Sequence, residues 1–249
     1  MKIVVANWKM NPVSLNEAKK LALGNNKIAR LSRNTRLVIC PPLTWLSDLS
    51  KIVKKPLELG AQNSFWTNQG PFTGEVSPLM LKNIGCAWVI IGHSERRGYL
   101  QETDEMVNKK TFAALSAGLN VVLAVGEQSR ETSKAMVDAI LEQQLKLALK
   151  DLKQKLLSRL VVVYEPVWAI GTGLSAKPDD ALQASLVIRK VIAKQYGVSA
   201  ANKMRILYGG SVDKKNVSNF INQRGIEGIL VGGASLNLGG FSELIRQIK

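Results

Sequence analysis

The sequence predicts one domain, residues 1–249, with the (β/α)8 barrel fold. Short apolar runs alternate with helix-length amphipathic stretches along the whole chain, and no linker-like change of composition divides it. The apolar runs are nearly continuous, which is typical of parallel strands that helices cover on both faces. Eight strand–helix units in 249 residues fit a closed barrel better than an open doubly wound sheet, which usually has fewer strands and often a second domain.

Each unit of the predicted barrel is a short strand followed by a helix. The apolar runs predict strands at 3–8, 36–40, 58–62, 88–92, 120–125, 160–165, 205–209 and 228–231. Apolar residues at every third or fourth position predict helices at 14–31, 43–54, 78–84, 103–117, 131–157, 178–196, 214–223 and 238–248. The helix that begins at Pro178 shows both end signals, with Asp179 and Asp180 in its first turn and Gly197 after its last.

The chain is strongly basic, with 34 Lys and Arg against 19 Asp and Glu and a net charge of +15. Such a charge can indicate a nucleic-acid-binding protein, but no basic block is interleaved with aromatic residues, and no zinc-finger or RNA-binding motif occurs. In the helix predicted at 131–157, the apolar residues form one stripe and the lysines lie elsewhere. We therefore expect solvated helix faces and no nucleic-acid partner, with a field that can concentrate a small anionic substrate.

Targeting, redox and metal signals are weak. Only four apolar residues follow Lys2, too few for a signal peptide, and no apolar run approaches the ~18 residues of a membrane span, so we expect a cytoplasmic protein with no membrane partner. Cys40 and Cys86 lie in apolar contexts and are expected to be free thiols. One histidine and two unlinked cysteines provide too few ligands for a zinc site.

Polar side chains end three of the predicted strands. Asn7 and Lys9 continue one apolar face of the first strand, His93 continues one of the fourth, and Glu165 continues one of the sixth. If these faces point into the barrel, the four side chains converge at the carboxyl ends of the strands, where barrel enzymes place their active sites. Each alone has a simpler structural explanation, such as a capped acid or a lysine that reaches the surface. Their shared position favours a catalytic site.

Three glycine pairs follow the last three strands, and glycine lets backbone N–H groups approach an anion closely. The pairs are Gly171 and Gly173, Gly209 and Gly210, and Gly232 and Gly233. A tight turn explains any single pair, but three together favour a phosphate cradle. The run GTGLSA also fits a loose dinucleotide motif, which we reject because residues 166–170 separate it from the strand and no acid follows about 20 residues later.

Five motifs carry a family resemblance. They are ANWKMN at 6–11, GHSERR at 92–97, YEPVWAIGTG at 164–173, YGGSV at 208–212 and LVGGASL at 230–236. In this order, and across the whole chain, they resemble the triosephosphate isomerase family. The resemblance implies a TIM barrel that interconverts dihydroxyacetone phosphate and D-glyceraldehyde 3-phosphate through an enediolate, in glycolysis and gluconeogenesis, with no cofactor or metal.

The resemblance also implies a role for each strand-end residue. Glu165 matches the family's general base, and His93 matches its electrophile, a neutral imidazole that hydrogen-bonds the substrate oxygens. Lys9 and Asn7 match groups that stabilise developing negative charge. Glu95 matches an acid behind the site that supports Lys9.

The substrate's phosphate and the lid follow from the same resemblance. Backbone N–H groups at Gly171, Ser211, Gly232 and Gly233 match the phosphate cradle, and residues 166–174 match a lid that excludes water. Two positions depart from the family pattern. Leu174 stands where a lysine is common at the end of the lid, and Ala124 replaces a frequent cysteine.

The family is usually dimeric, and the loop at 62–77 is the interface that we expect here. It places Phe65, Trp66 and Phe72 among glycines, an unusual set of side chains to leave in water. The resemblance therefore implies a homodimer.

Two other functions stay open at this point. A different phosphosugar enzyme on the same barrel, such as an aldolase, would form a Schiff base at Lys9, although Glu165 rather than a lysine ends the sixth strand. A basic nucleic-acid-binding module would show an affinity that falls steeply with salt.

Overall fold

The computed structural model describes residues 1–32, 34–170 and 176–248. In these residues, parallel strands β1 to β8 pair in sequence order and close into a barrel. The strands are Lys2–Asn7, Thr35–Cys40, Glu58–Ala61, Trp88–Ile91, Asn120–Val125, Leu160–Tyr164, Arg205–Tyr208 and Gly228–Val231. β8 pairs with β1, and Gly228 fits this seam because a Cβ there would lie 2.1 Å from the Ile3 carbonyl oxygen. The barrel prediction is confirmed.

Helices follow the strands and pack outside the barrel. In the described residues, α1 to α10 are Leu15–Leu31, Leu46–Ser50, Pro78–Asn83, Ser94–Tyr99, Asp104–Ser116, Lys134–Ala148, Pro178–Tyr196, Val198–Lys203, Val217–Ile221 and Leu238–Arg246. Short 3₁₀ turns occupy Leu43–Trp45, Gln154–Arg159, Val167–Ala169 and Gly233–Leu236. Side chains cap several of the helices at their amino ends, as Thr103 does by accepting a hydrogen bond from the Met106 N–H.

The predicted bounds of the helix at 131–157 were wrong. The helix covers Lys134–Ala148, and the chain then turns through Asp151, whose φ of +59° lies in the left-handed region. A 3₁₀ turn, Gln154–Arg159, leads from there into β6. The apolar spacing continues past the turn because Leu152 still packs on the core, so periodicity alone cannot reveal the break.

The core has two layers, one inside the barrel and one between the strands and the helices. The inner layer contains strand residues only, including Ile3 and Val5 of β1 and Val161 and Val163 of β6. The sequence analysis assumed that these faces of strands 1 and 6 point into the barrel, and in the structure they do. Consequently, the residues that extend these faces emerge at the carboxyl end of the barrel.

The same reasoning was wrong for β4. Val89 and Ile91 belong to the outer layer, whereas Trp88 and Ile90 fill the barrel interior. Strand alternation therefore does not bring His93 to the mouth of the barrel.

Cys40 and Cys86 are free and buried, and burial raises the pKa of Cys86 to about 12. Across the described ranges, no helix is long and apolar enough to cross a membrane. Nor do these ranges contain a group of three or more His, Cys, Asp or Glu residues that could hold a metal ion.

Candidate active site

His93 reaches the carboxyl mouth of the barrel through a turn. Gly92 has a φ of +74°, a conformation that glycine adopts without strain and that ends the alternation of β4. His93 then caps α4, and its Nδ1 accepts a hydrogen bond from the Glu95 N–H at 3.2 Å. Because Nδ1 is the acceptor in this contact, Nε2 is the ring nitrogen that can donate a proton to a ligand. The imidazole is buried, with 4% exposed.

Glu165 directly follows β6 and is held at both its backbone and its carboxylate. The Glu165 N–H donates to the Val125 carbonyl. A Cβ at position 126 would lie 1.8 Å from the carbonyl oxygen of Glu165, so only glycine fits at Gly126. The carboxylate Oε2 accepts from the Ser94 N–H at 3.0 Å. Oε1 lies 3.3 Å from His93 Nε2 and has no hydrogen-bond partner within the described residues. One oxygen is thus fixed and the other is available.

Lys9 is held in an unusual conformation by three contacts. Its φ of +54° is left-handed, and its N–H donates to Asn7 Oδ1 at 3.0 Å. Its carbonyl accepts from Gln62 Nε2 at 2.7 Å, and the same nitrogen donates to the Cys40 carbonyl. Its ammonium Nζ lies 2.5 Å from Glu95 Oε1, the pairing that the resemblance implied. These contacts orient the cation towards the mouth.

Gln62 was missed by the sequence analysis, although a signal for it existed. It directly follows β3, as Asn7 ends β1 and Glu165 follows β6, so the rule about polar residues at strand ends applies to it as well. Asn7 and Glu165 are both buried, and neither is among the described residues that line the cavity. Asn7 contacts the backbone of Lys9, whose N–H donates to Asn7 Oδ1.

A cavity of about 220 Å³ brings Lys9, His93 and the glycine loops together. Lys9, His93 and Ile170 line one side, and the other is formed by residues 209–213, 230 and 232–234. A Cβ at Gly232 would lie 3.1 Å from Lys9 Cε, so the loop after β8 passes close to the ammonium. A cation and glycine loops around one cavity suit the binding of a small anion.

The predicted phosphate cradle is only partly within the described residues. Ser211, Gly232 and Gly233 line the cavity, and the described parts of the chain supply no acceptor for their backbone N–H groups. Backbone N–H groups of this kind can bind an anion. Gly171 lies outside the described residues, as does Leu174 in the second half of the predicted lid.

The described residues on either side of 171–175 are hydrogen-bonded to residues of the barrel. Glu127 Oε1 accepts from Trp168 Nε1 at 2.7 Å and from the Tyr164 hydroxyl at 3.1 Å. On the other side, the Ala176 N–H donates to the Tyr208 hydroxyl at 3.2 Å. Burial raises the pKa of Glu127, and it does so despite these hydrogen bonds, which act in the opposite direction.

A buried ion pair supports the turn that carries His93. Glu102 accepts from the Gly92 N–H at 3.2 Å, from Arg96 Nε at 2.7 Å and from Lys110 Nζ at 2.5 Å. Burial acts to raise the pKa of Glu102, but the hydrogen bonds and charges of Lys110 and Arg96 outweigh it and lower that pKa. Burial also lowers the pKa of Lys110. Nothing in the local sequence pattern predicted this cluster.

Comparison with known proteins extends the motif resemblance to the whole chain. Residues 2–248 match the family model described as triosephosphate isomerase. The chain is 42% identical over 246 residues to the triosephosphate isomerase of Dictyoglomus thermophilum, covering 98% of each sequence. It is 43% identical over 248 residues to that of Endomicrobium trichonymphae, covering 99% of this chain and 98% of the relative. It is 44% identical over 246 residues to that of Dehalococcoides mccartyi, covering 98% and 95%.

Proposed function

Since the chain belongs to the triosephosphate isomerase family and interconverts dihydroxyacetone phosphate and D-glyceraldehyde 3-phosphate, we propose that Glu165, His93 and Lys9 perform the proton transfer. The observation that carries this proposal is the free Oε1 of Glu165, 3.3 Å from the Nε2 of a histidine whose other nitrogen accepts a backbone hydrogen bond. A carboxylate oxygen and a ring nitrogen that can donate thus lie side by side. A reaction that moves a proton between the two carbons beside a carbonyl group needs this pair.

Each side chain has one role in the proposed reaction. Glu165 Oε1 removes a proton from the carbon next to the carbonyl and returns it to the neighbouring carbon. The Nε2 proton of His93 and the ammonium of Lys9 stabilise the negative oxygen of the enediolate between these two steps. Asn7 and Gln62 act through Lys9 as positioning residues.

The phosphate of the substrate occupies the glycine side of the cavity in this proposal. The N–H groups of Ser211, Gly232 and Gly233 are oriented donors that need no charge of their own. Gly171 completes the cradle in the proposal, although it lies outside the described residues. Fixing the phosphate holds the reacting carbons at a set distance from Glu165.

No observation favours the aldolase alternative. A Schiff base requires the neutral amine of Lys9, whereas its Nζ lies 2.5 Å from the Glu95 carboxylate. A neighbouring negative charge stabilises an ammonium, not an amine. Lys9 therefore serves as a fixed cation.

Replacing Glu165→Asp tests the assignment of the base. Shortening the side chain withdraws the carboxylate by roughly 1 Å and should lower kcat by about 10²-fold, while the far-UV spectrum and Tm stay unchanged. The matched control is Glu142→Asp, the same chemical change on an exposed face of α6. Wild-type kcat in Glu165→Asp, measured with glyceraldehyde 3-phosphate in a coupled assay, would contradict the proposal.

We also propose a homodimer through residues 62–77. Loops and short helices that follow β1, β2, β3 and β4 carry exposed apolar side chains, and these strands are consecutive in the barrel, so the segments share one side of the mouth. The side chains are Met10, Val13, Leu43, Phe72, Leu79, Met80, Tyr99 and Leu100. Within the loop, Phe65 stacks on Trp66 at 3.9 Å and contacts Phe72 at 4.6 Å. Such a patch is unusual on a monomer.

The mass in solution tests the dimer. Sedimentation equilibrium should give twice the chain mass of 27.2 kDa, and Met80→Lys should shift the protein towards the monomer by placing a charge in the patch. A wild-type protein that sediments as a monomer would contradict the proposal.

We further propose a cytoplasmic location, where glycolysis supplies the substrate, and expect the isomerase activity to fractionate with the other glycolytic enzymes.

A further inference from the structure

A second cavity lies at the amino end of the barrel, opposite the catalytic mouth, and has a volume of about 400 Å³. The first residues of several strands form it, together with the 3₁₀ turn Gln154–Arg159 and the end of α8. Its floor is apolar and buried, with Ile3, Trp88 and Val161 at the base of the inner core. We call it the amino-end cavity.

The charges that line the amino-end cavity are all positive. They are Arg36, Lys155, Arg159, Lys203 and Arg205, and no carboxylate is among the lining residues. Arg36 is neutralised by Glu58, at 3.0 Å. For the side chains of the other four, the described ranges supply neither an ion pair nor a hydrogen bond. Four unpaired cations thus share one concave surface, where like charges repel each other.

Helix ends explain only part of this arrangement. Lys203 and Arg159 lie in the last turns of their helices, where the partial negative charge of the helix end stabilises a cation. Arg205 begins β7 and Lys155 lies in the first turn of the 3₁₀ segment, so the helix ends do not stabilise these two. The repulsion among the four is relieved if an anion binds between them.

We propose that the amino-end cavity binds a small phosphorylated organic anion. Its volume lies within the roughly 300–1,000 Å³ of small-molecule sites. Guanidinium groups such as those of Arg159 and Arg205 bind phosphate oxygens in pairs, and Lys155 and Lys203 add point charges. The apolar floor accommodates the organic part, and Asn120 and Ser199 on the wall provide polar groups for its hydroxyls.

Calorimetric titration with metal-free ATP at low salt tests this site. We expect one ATP per chain in the wild type, and binding weakened at least about tenfold in the double variant Lys203→Ser/Arg205→Ser, which removes two charge-assisted contacts. The matched control, Lys20→Ser/Lys27→Ser, removes the same charge from exposed positions on α1 and should bind ATP within about twofold of the wild type. ATP should also raise the Tm of the wild type and of the control but not that of the double variant.

Further ATP-binding measurements distinguish the amino-end cavity from other anion sites on the protein. Lys9→Ala weakens the catalytic cavity and should leave ATP affinity unchanged, so a loss of binding in that variant would assign ATP to the catalytic mouth and overturn the proposal. Equal weakening in the double variant and its control would show a diffuse field instead of a site. A single-stranded oligonucleotide that binds more tightly than ATP and is lost in the same double variant would replace the metabolite with nucleic acid. None of these results depends on the catalytic assignment, which the turnover of Glu165→Asp tests separately.

Discussion

The two ends of the barrel hold their charges in opposite ways. At the carboxyl end, Lys9 forms a partly exposed pair with Glu95, and Glu102 forms a buried pair with Lys110 next to the Gly92 turn. At the amino end, cations such as Arg205 are exposed and no carboxylate lines the cavity. Paired and buried charges have one fixed position, which catalysis requires, whereas exposed cations attract anions but fix no reacting atom. The same residue types therefore serve reaction at one end and attraction at the other.

Breaking the buried pair should have the largest effect. Glu102→Leu leaves the Lys110 ammonium buried without its acid, and we expect the free energy of unfolding to fall by about 3–5 kcal/mol in denaturant titration. Adding Lys110→Met to the same chain removes the uncompensated charge and should restore a substantial part of that loss. If Glu102→Leu is as stable as the wild type, the carboxyl end does not depend on paired charge as we describe.

The next largest effect should come from removing the N–H donor of His93, which should lower kcat. His93→Gln replaces the ring whose Nε2 lies beside Glu165, and kcat should fall by about 10²–10³-fold with little change in Tm. The chain contains one histidine, so no other imidazole can substitute for it. Steady-state rates with both triose phosphates measure the effect. A loss confined to KM would instead assign His93 to substrate binding.

Loosening the support of Lys9 should have a smaller effect. Gln62→Leu removes the donor to the Lys9 and Cys40 carbonyl groups, and we expect kcat/KM to fall by about tenfold as the left-handed backbone relaxes. Gln143→Leu, the same change at an exposed position of α6, is the matched control and should keep wild-type kcat/KM. Equal kcat/KM in the two variants would show that Gln62 does not position Lys9.

The free energy of unfolding should depend on pH through the Glu102–Lys110 pair, with a smaller effect than the mutations above. The pKa of Glu102 is lowered in the folded protein, so the unfolded chain binds its proton first as the pH falls. The stability from this pair is therefore complete above the unfolded pKa of about 4.3 and is lost as the pH falls through the lowered folded value. Denaturant titrations from pH 6 down to about pH 3 should show a shallower acid loss in Glu102→Gln than in the wild type, and parallel curves would contradict this reading.

The smallest expected effect is at the amino end. Lys203→Ser/Arg205→Ser should leave kcat within about twofold of the wild type when ATP is absent, because exposed charges far from the reacting atoms contribute little. Turnover in a coupled assay measures it. A large loss of kcat would show that the two ends are coupled and that the contrast between them is wrong.

Several parts of the site followed from the sequence because they depend on local rules. Val161 and Val163 share a strand face with Glu165, so two-residue alternation was enough to bring that acid to the mouth. Strand 4 shows the limit of this rule. Its inner residues are Trp88 and Ile90, and His93 reaches the mouth because Gly92 turns the chain.

Contacts between distant segments could not be predicted in the same way. Glu102 meets Lys110 and the Gly92 backbone across a helix and a turn, and the left-handed turn at Asp151 ends α6 within an unbroken apolar pattern. Periodicity records which residues share a face but not which other segment covers that face. These features depend on packing partners that lie far apart in the chain.

By itself, the sequence determined the alternation of strands and helices, the family motifs and the strand-end acid at Glu165. Only the tertiary structure decided how His93 is aimed, how Gln62 holds Lys9, and that the unpaired cations gather in one cavity at the amino end. The physical reason is that side-chain periodicity is set by the backbone within a few residues. Pairing, burial and charge depend on which strands close the barrel and bring remote residues together.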